Sequence, residues 1–357
     1  PTKIRYRFPE FNHKTRLSLG YNFVDRQDYK RTNLKTTMNY IWQKGAFKLT
    51  TISPLELSLV RTRDIDSTFQ AYLVGLSNKG NNLQLSFGRS LVSSFNVAYQ
   101  FNNNEFGVNK KSRFFRIYAE SGGTVFNLLD KSFLESNDTI IIFNDTLRFF
   151  RYLKLQTDLR YYFPITSRSS IAMRFNGGIA RAYDRKNVLP YEKYFFTGGS
   201  SSNRAWKPRR LGPGSFIPLL DSTPDYRYLF EQPGEIILET NFEYRFNIAG
   251  FIDGAFFVDA GNVWTINIDS SRLNDDGTGA HFTLERFYKE IAVGSGFGLR
   301  FDFVFLIIRL DVGIKTWDPA RPPDEKLAIK NISFRKPDDE NRERVQPVFN
   351  IGIGYPF

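Results

Sequence analysis

Apolar and polar residues alternate strictly over long stretches of the chain. A period of two marks strands with one apolar and one wet face. In Gly234 to Phe246, Ile236, Leu238, Thr240, Phe242, Tyr244 and Phe246 share one face, while Ile237, Glu239, Asn241, Glu243 and Arg245 share the other. From Ile291 to Phe303, Ile291, Val293, Phe297, Leu299, Phe301 and Phe303 stand against Ala292, Gly294, Gly296, Gly298, Arg300 and Asp302. Phe305 to Thr316 opposes Leu306, Ile308, Leu310, Val312 and Ile314 to Arg309 and Asp311, and the last stretch aligns Phe349, Ile351, Ile353, Tyr355 and Phe357. Glycines inside such strands leave room for a close neighbour.

The pattern predicts about twelve strands, near 13–23, 31–42, 45–61, 91–102, 111–122, 148–163, 168–183, 234–246, 251–264, 287–303, 305–316 and 347–357. Short connections fall at 43–45, 163–168, 247–250 and near Val304, with 103–110 somewhat longer. Long ones fall at 63–90, 123–147, 184–233, 265–285 and 317–346. Most strands reach the roughly 9–11 residues that a tilted strand needs to cross a bilayer, and their second faces are charged. The expected fold class is therefore all-β: a transmembrane antiparallel β-barrel, one domain over 1–357, with short turns on the periplasmic side. A mean hydropathy of −0.37 does not oppose this, because lumen-facing polar residues dilute the apolar faces.

Composition narrows the chemistry. Cysteine is absent, which excludes disulfides and thiolate catalysis. The two histidines, His13 and His281, stand apart among polar residues and are expected to be solvent-exposed, so no metal site and no cofactor is predicted. Gly199-Ser-Ser201-Ser-Asn203 lacks the closing glycine of a nucleophile elbow, so no enzyme is expected. The net charge of +12 is scattered, which favours membrane lipids and lipopolysaccharide as partners over nucleic acid. Trp264, Tyr355 and Phe357 read as interface anchors, and the acidic run 338–340 as solvated loop. No apolar leader follows Pro1, so an exported chain would be a mature or truncated segment.

One stretch obeys no period. Residues 198–214, GGSSSNRAWKPRRLGPG, carry glycines at both ends and a proline-bounded basic centre, so they form a shaped loop. Arg204 in its middle offers a planar fork of donors suited to a carboxylate. Alternation places Glu243 and Asp259 on wet faces of the neighbouring strands.

Gly198-Gly199, Asn203-Arg204-Ala205-Trp206 and Leu211-Gly212-Pro213 resemble the sixth extracellular loop of the BamA and TamA family of outer-membrane insertases. That loop carries (Val/Ile)-Arg-Gly-(Phe/Tyr) after a Gly-Gly and before a Leu-Gly-Pro. Asn203 stands in place of the aliphatic residue, and Ala205 in place of the glycine. Phe257-Val-Asp259-Ala-Gly261-Asn-Val263-Trp264, Gly296-x-Gly298-x-Arg300-x-Asp302 and the aromatic-ended terminus extend the resemblance over about 198–357. The aromatic wording of the first half is most similar to the TamA-like lipoprotein branch of Bacteroidota.

The resemblance implies an outer-membrane protein of a Gram-negative bacterium that folds and inserts β-barrel proteins through a lateral seam. Its barrel has sixteen strands behind POTRA domains, so a chain of about twelve is expected to lack the first four strands and all POTRA domains. The loop would fold into the lumen, with Arg204 pairing Glu243 and Asp259. Phe349, Gly352, Gly354, Tyr355 and Phe357 would form the seam strand, where glycine and Pro356 weaken the ladder. Unfolded outer-membrane clients and accessory assembly subunits follow as partners. A two-partner-secretion pore exporting an unfolded protein would keep the same loop, whereas a passive porin would not need it.

Overall fold

The computed structural model describes residues 11–104, 111–123, 139–142, 145–184, 186–217, 230–274, 276–303, 305–335 and 344–357. They form fourteen strands and one α-helix, together with short 3-10 turns: β1 (Phe11–Asp25), β2 (Lys30–Lys44), β3 (Lys48–Arg63), α1 (Ser67–Asn78), β4 (Ser90–Asn102), β5 (Ser112–Gly122), β6 (Thr139–Ile142), β7 (Asp145–Arg148), β8 (Tyr152–Thr166), β9 (Ser169–Ala182), β10 (Ile236–Ala249), β11 (Ile252–Trp264), β12 (Ala292–Asp302), β13 (Ile307–Trp317) and β14 (Val348–Ile353). The chain divides into two compact units: Pro1–Asn103, Phe115–Thr157 and Ile179–Tyr194 form one, and Asn104–Phe114, Asp158–Gly178 and Phe195–Phe357 the other.

In the first unit β1 to β4 pair in sequence order, all antiparallel, and β4 is followed by the parts of β5, β8 and β9 that belong to the unit. The apolar face of β1 is open: Leu17, Leu19, Tyr21 and Phe23 are all exposed. Between β3 and β4 the chain buries a small core. Asp66 caps α1 by accepting from the backbone N–H groups of Thr68 and Phe69, at 2.9 and 3.2 Å. Phe69, Leu73 and Leu76 line its buried face. The Phe69 ring lies 5.3 Å from that of Phe87, which lies 4.6 Å from Tyr191.

The second unit runs through its parts of β5, β8 and β9 to β10, β11, β12, β13 and β14, each strand antiparallel to the next from β10 onward. Phe242, Phe256, Val258, Leu310, Phe349, Ile351 and Ile353 are exposed on one face. Glu239, Asn241, Glu243, Asp259, Arg300, Arg309 and Asp311 are buried on the other. Among the described residues β1 pairs only with β2, and β14 only with β13.

Twelve of the strands follow one another along the sheet path, while β6 and β7 form a short side hairpin that period-two alternation does not reveal. The helix α1 likewise occupies a stretch expected to be loop. The short link between β1 and β2, residues 26–29, breaks the alternation of short and long connections. Strand β12 begins at Ala292 because Phe287–Lys289 form a 3-10 turn, and β14 ends at Ile353 because Gly354 takes φ +77°. The acidic run 338–340 and the bend at 304 lie outside the described residues.

Candidate functional site

The loop 195–216 folds back on itself before it meets the sheet. Gly198 and Gly199 adopt φ +97° and +103°, and a side chain on Gly198 would strike the Lys207 carbonyl, so glycine is required there. The Gly199 N–H donates to the carbonyls of Trp206 (2.9 Å) and Asn203 (3.1 Å), which closes a tight turn over 199–206. Thr197 bridges to Leu211, and the loop leaves through Gly212-Pro213. Its exit is pinned to β11: the Gly214 N–H donates to the Val263 carbonyl, and Asn262 Nδ2 donates to the Gly214 carbonyl, both at 2.8 Å.

That turn delivers Arg204, with no exposed surface, onto the buried face of β10 to β14. Nε donates to Asp259 Oδ2 at 2.8 Å and Nη2 to Asp259 Oδ1 at 2.9 Å, a two-pronged pair that the planar guanidinium is shaped to make. Nη1 donates to Glu243 Oε2 at 2.5 Å and lies 3.7 Å from Asp311 Oδ2. The guanidinium sits 3.5 Å over the Phe257 ring. Burial works against its charge, but Asp259 and then Glu243 outweigh burial and hold Arg204 above the usual arginine range.

The backbone is gripped as firmly as the side chain. The Arg204 N–H donates to Asp259 Oδ2 at 3.0 Å, and its carbonyl accepts from Asn350 Nδ2 on β14 at 2.9 Å. Asn203 Nδ2 donates to the Asp259 carbonyl, and Asn203 Oδ1 accepts from the Ala205 N–H. Ala205, Trp206, Leu211 and Ala292 form a buried apolar cluster, with the Lys315 ammonium 5.4 Å from the Trp206 ring. Two strand glycines make this approach possible: a β-carbon on Gly313 would overlap the Arg204 carbonyl, and one on Gly294 would press on Ala205 and Asn203.

Around this grip lies a wider network. Glu243 also accepts from Arg245 Nε at 2.8 Å and Arg300 Nη2 at 3.2 Å, and Asp311 accepts from Arg300 Nη1 at 2.6 Å. Arg309 stands 3.4 Å from Asp311. Four guanidiniums thus face three carboxylates, so each buried acid retains a cationic neighbour. Ser202 hydrogen-bonds Glu239, and Asn241 Nδ2 bridges the Ser202 carbonyl and Asp259.

The structure therefore brings together Gly198, Gly199, Asn203, Arg204, Ala205, Trp206, Leu211, Gly212, Pro213, Glu243 and Asp259. Alternation already sets Arg245, Arg300 and Asp311 on wet faces, and Arg300 lies in a strand motif, but neither signal assigns them to the Arg204 site, and Asn350 is not picked out at all. It takes the strand register to show which of them converge.

The C-terminal seam residues divide. Phe349 points outward, whereas Gly352 lies opposite Arg309 and leaves room for its guanidinium. Gly354 does not weaken the ladder: its N–H donates to the Ile307 carbonyl at 2.9 Å. The turn at Gly354 also takes Tyr355 and Phe357 off the outward face. The Arg245 guanidinium sits 4.1 Å over Tyr355 and 5.7 Å over Phe357, which is buried. Trp264 is fully buried, its Nε1 donating to Glu290 at 2.7 Å. Neither Trp264 nor Phe357 is an interface anchor. His281 is half-buried and contacts Arg286, because the 265–291 connection folds over β11 and is not a free loop. His13 is half-buried as well.

Comparison with known proteins agrees with this architecture. The Omp85 superfamily domain matches residues 2–357. BamA from Haemophilus ducreyi, in a structure lacking POTRA domains 1–3, superposes with a TM-score of 0.54 at 13% identity, over 85% of this chain and 55% of that one. CdiB from Acinetobacter baumannii gives a TM-score of 0.40 at 13% identity, over 94% of this chain and 53% of that one. CdiB from Escherichia coli gives 0.40 at 10% identity, over 85% and 46%. The likeness to BamA shows a shared antiparallel barrel fold, and the chain spans about half the length of these solved structures. No curated protein matches the sequence significantly.

Proposed function

The chain belongs to the Omp85 superfamily, and from that premise we propose that it is an outer-membrane assembly factor that folds and inserts β-barrel proteins. Strand β14 is the working edge: the backbone along its side away from β13 templates an incoming client strand by β-augmentation. The loop 198–214 is the latch that holds this edge in place. The observation that carries the reading is the double grip of Arg204, whose guanidinium binds Asp259 and Glu243 while its carbonyl accepts from Asn350 on β14. Loop position and edge-strand position are coupled through one residue. Unfolded outer-membrane proteins are the clients, and lipopolysaccharide-bearing lipid is the surrounding phase.

The test is replacement of the resident gene by an Arg204→Ala variant. The variant protein should remain in the outer membrane, heat-modifiable on gels, while other barrels accumulate unfolded in the periplasm. Loss of one soluble protein from the medium, with barrel levels unchanged, would assign the chain instead to two-partner secretion. Normal levels of both would remove the latch from the mechanism.

A further inference from the structure

Near the loop-bearing ends of β4, β5, β8 and β9, within the first unit, the outward apolar face is indented by a groove of about 390 Å³. Its floor is low because β5 presents small residues there, Ala119 and Ser121, between the larger Phe95, Leu153, Leu155 and Ile179. Phe95, Leu153, Leu155 and Ile179 are all exposed. The side chains of Glu120 and Lys154, next to this floor, are engaged elsewhere: Glu120 accepts from Lys193 Nζ and Tyr152 Oη, and Lys154 Nζ donates to the Lys193 carbonyl. Apart from Ser121 on its floor and the residues at its rim, the groove is therefore apolar.

The rim carries Arg181, two residues beyond Ile179 on the same outward face and exposed. No carboxylate pairs with it among the described residues. A charged side chain on a lipid-facing strand position is costly toward the bilayer centre and close to neutral only at the interface. Two residues further on, Tyr183 is exposed and donates through Oη to the Gly122 carbonyl, as an aromatic residue does at the headgroup level. Arg181 thus stands where the apolar band meets the headgroups, beside a slot shaped for a chain.

The geometry points to a binding site for a phosphorylated glycolipid of the outer leaflet, of the lipid A class, with one acyl chain in the Ala119–Ser121 groove and a phosphate on Arg181. This rests on the membrane placement proposed above. Charge complementarity selects the occupant: the loop-bearing strand ends face the outside in that placement, and outer-leaflet glycolipid presents phosphates at this depth. Binding is led by a charge-assisted contact and completed by apolar burial.

The test uses the full-length protein extracted from membranes into detergent, with native mass spectrometry on titration with purified lipid A. The wild type is expected to bind one lipid A tightly, with Arg181→Ser about fivefold weaker and Arg181→Lys close to wild type. Ala119→Leu should weaken binding by filling the floor while leaving Arg181 in place. Arg113→Ser, at the opposite end of β5, should change nothing. Equal retention of lipid A by the wild type and Arg181→Ser, or equal binding of a zwitterionic phospholipid, would overturn the site. Recovery of the protein in the soluble fraction would instead overturn the membrane placement.

Discussion

Arg204 uses its side chain, its N–H and its carbonyl at once, so its replacements separate roles that are usually confounded. In Arg204→Ala, Glu243 keeps Arg245 and Arg300, whereas among the described residues Asp259 keeps only Asn241 as a side-chain donor. The cost falls mainly on Asp259, near the lower end of the range for a broken buried pair, about 3 kcal/mol by urea unfolding in lipid vesicles. Arg204→Lys should cost nearly as much, because one ammonium cannot reproduce the two-pronged bond to Asp259 and the bond to Glu243 together. In a double-mutant cycle Arg204→Ala with Asp259→Asn should cost less than the sum, by about 1 to 3 kcal/mol. An additive cycle would mean that the two residues do not interact.

Gly313 is the complementary residue-scale test. A side chain there meets the Arg204 carbonyl, so Gly313→Val should lift the loop without touching any charge. Limited trypsin digestion reads this directly, with new cleavage at Arg209 and Arg210 in the variant and protection in the wild type. An unchanged digest would show that the loop is held by its charges alone.

At the scale of elements, legibility followed periodicity. Strands β10 to β13 declare themselves because one face is lipid-like and the other ionic, and the twelve-strand path follows from repeating that pattern. Helix α1 spells Phe69, Leu73 and Leu76 at helical spacing behind an Asp66 cap, but twelve residues of helix inside a long connection carry too little pattern to stand out from it. Hairpin β6–β7 has no alternation to read. The last turn of the chain misled because Gly354 reverses a face assignment that alternation carries straight through, which sends Tyr355 and Phe357 onto Arg245. The loop motif pointed to Arg204, and alternation on β10 and β11 pointed to Glu243 and Asp259; the register brought in Asp311 and Asn350. For α1, Asp66→Ala should remove the cap at about 1 kcal/mol, seen as faster amide exchange over 67–78 with the strands unaffected. Exchange unchanged in that segment would mean that its apolar face alone fixes the helix.

In the second unit, β10 to β14 set an exposed apolar face against a buried ionic layer, and the loop 195–216 belongs to that layer. In the proposed reading, the outer apolar side chains meet the lipid, while the inner network reaches β14 through Asn350, which donates to the Arg204 carbonyl. Assembly activity should accordingly depend on the inner network more than on the outer face. The most direct measurement is the rate at which purified protein in lipid vesicles inserts an unfolded outer-membrane barrel, compared between wild type and Arg204→Ala at equal vesicle incorporation. The latch account predicts a variant that incorporates normally and inserts its client much more slowly; client insertion at the wild-type rate would contradict it.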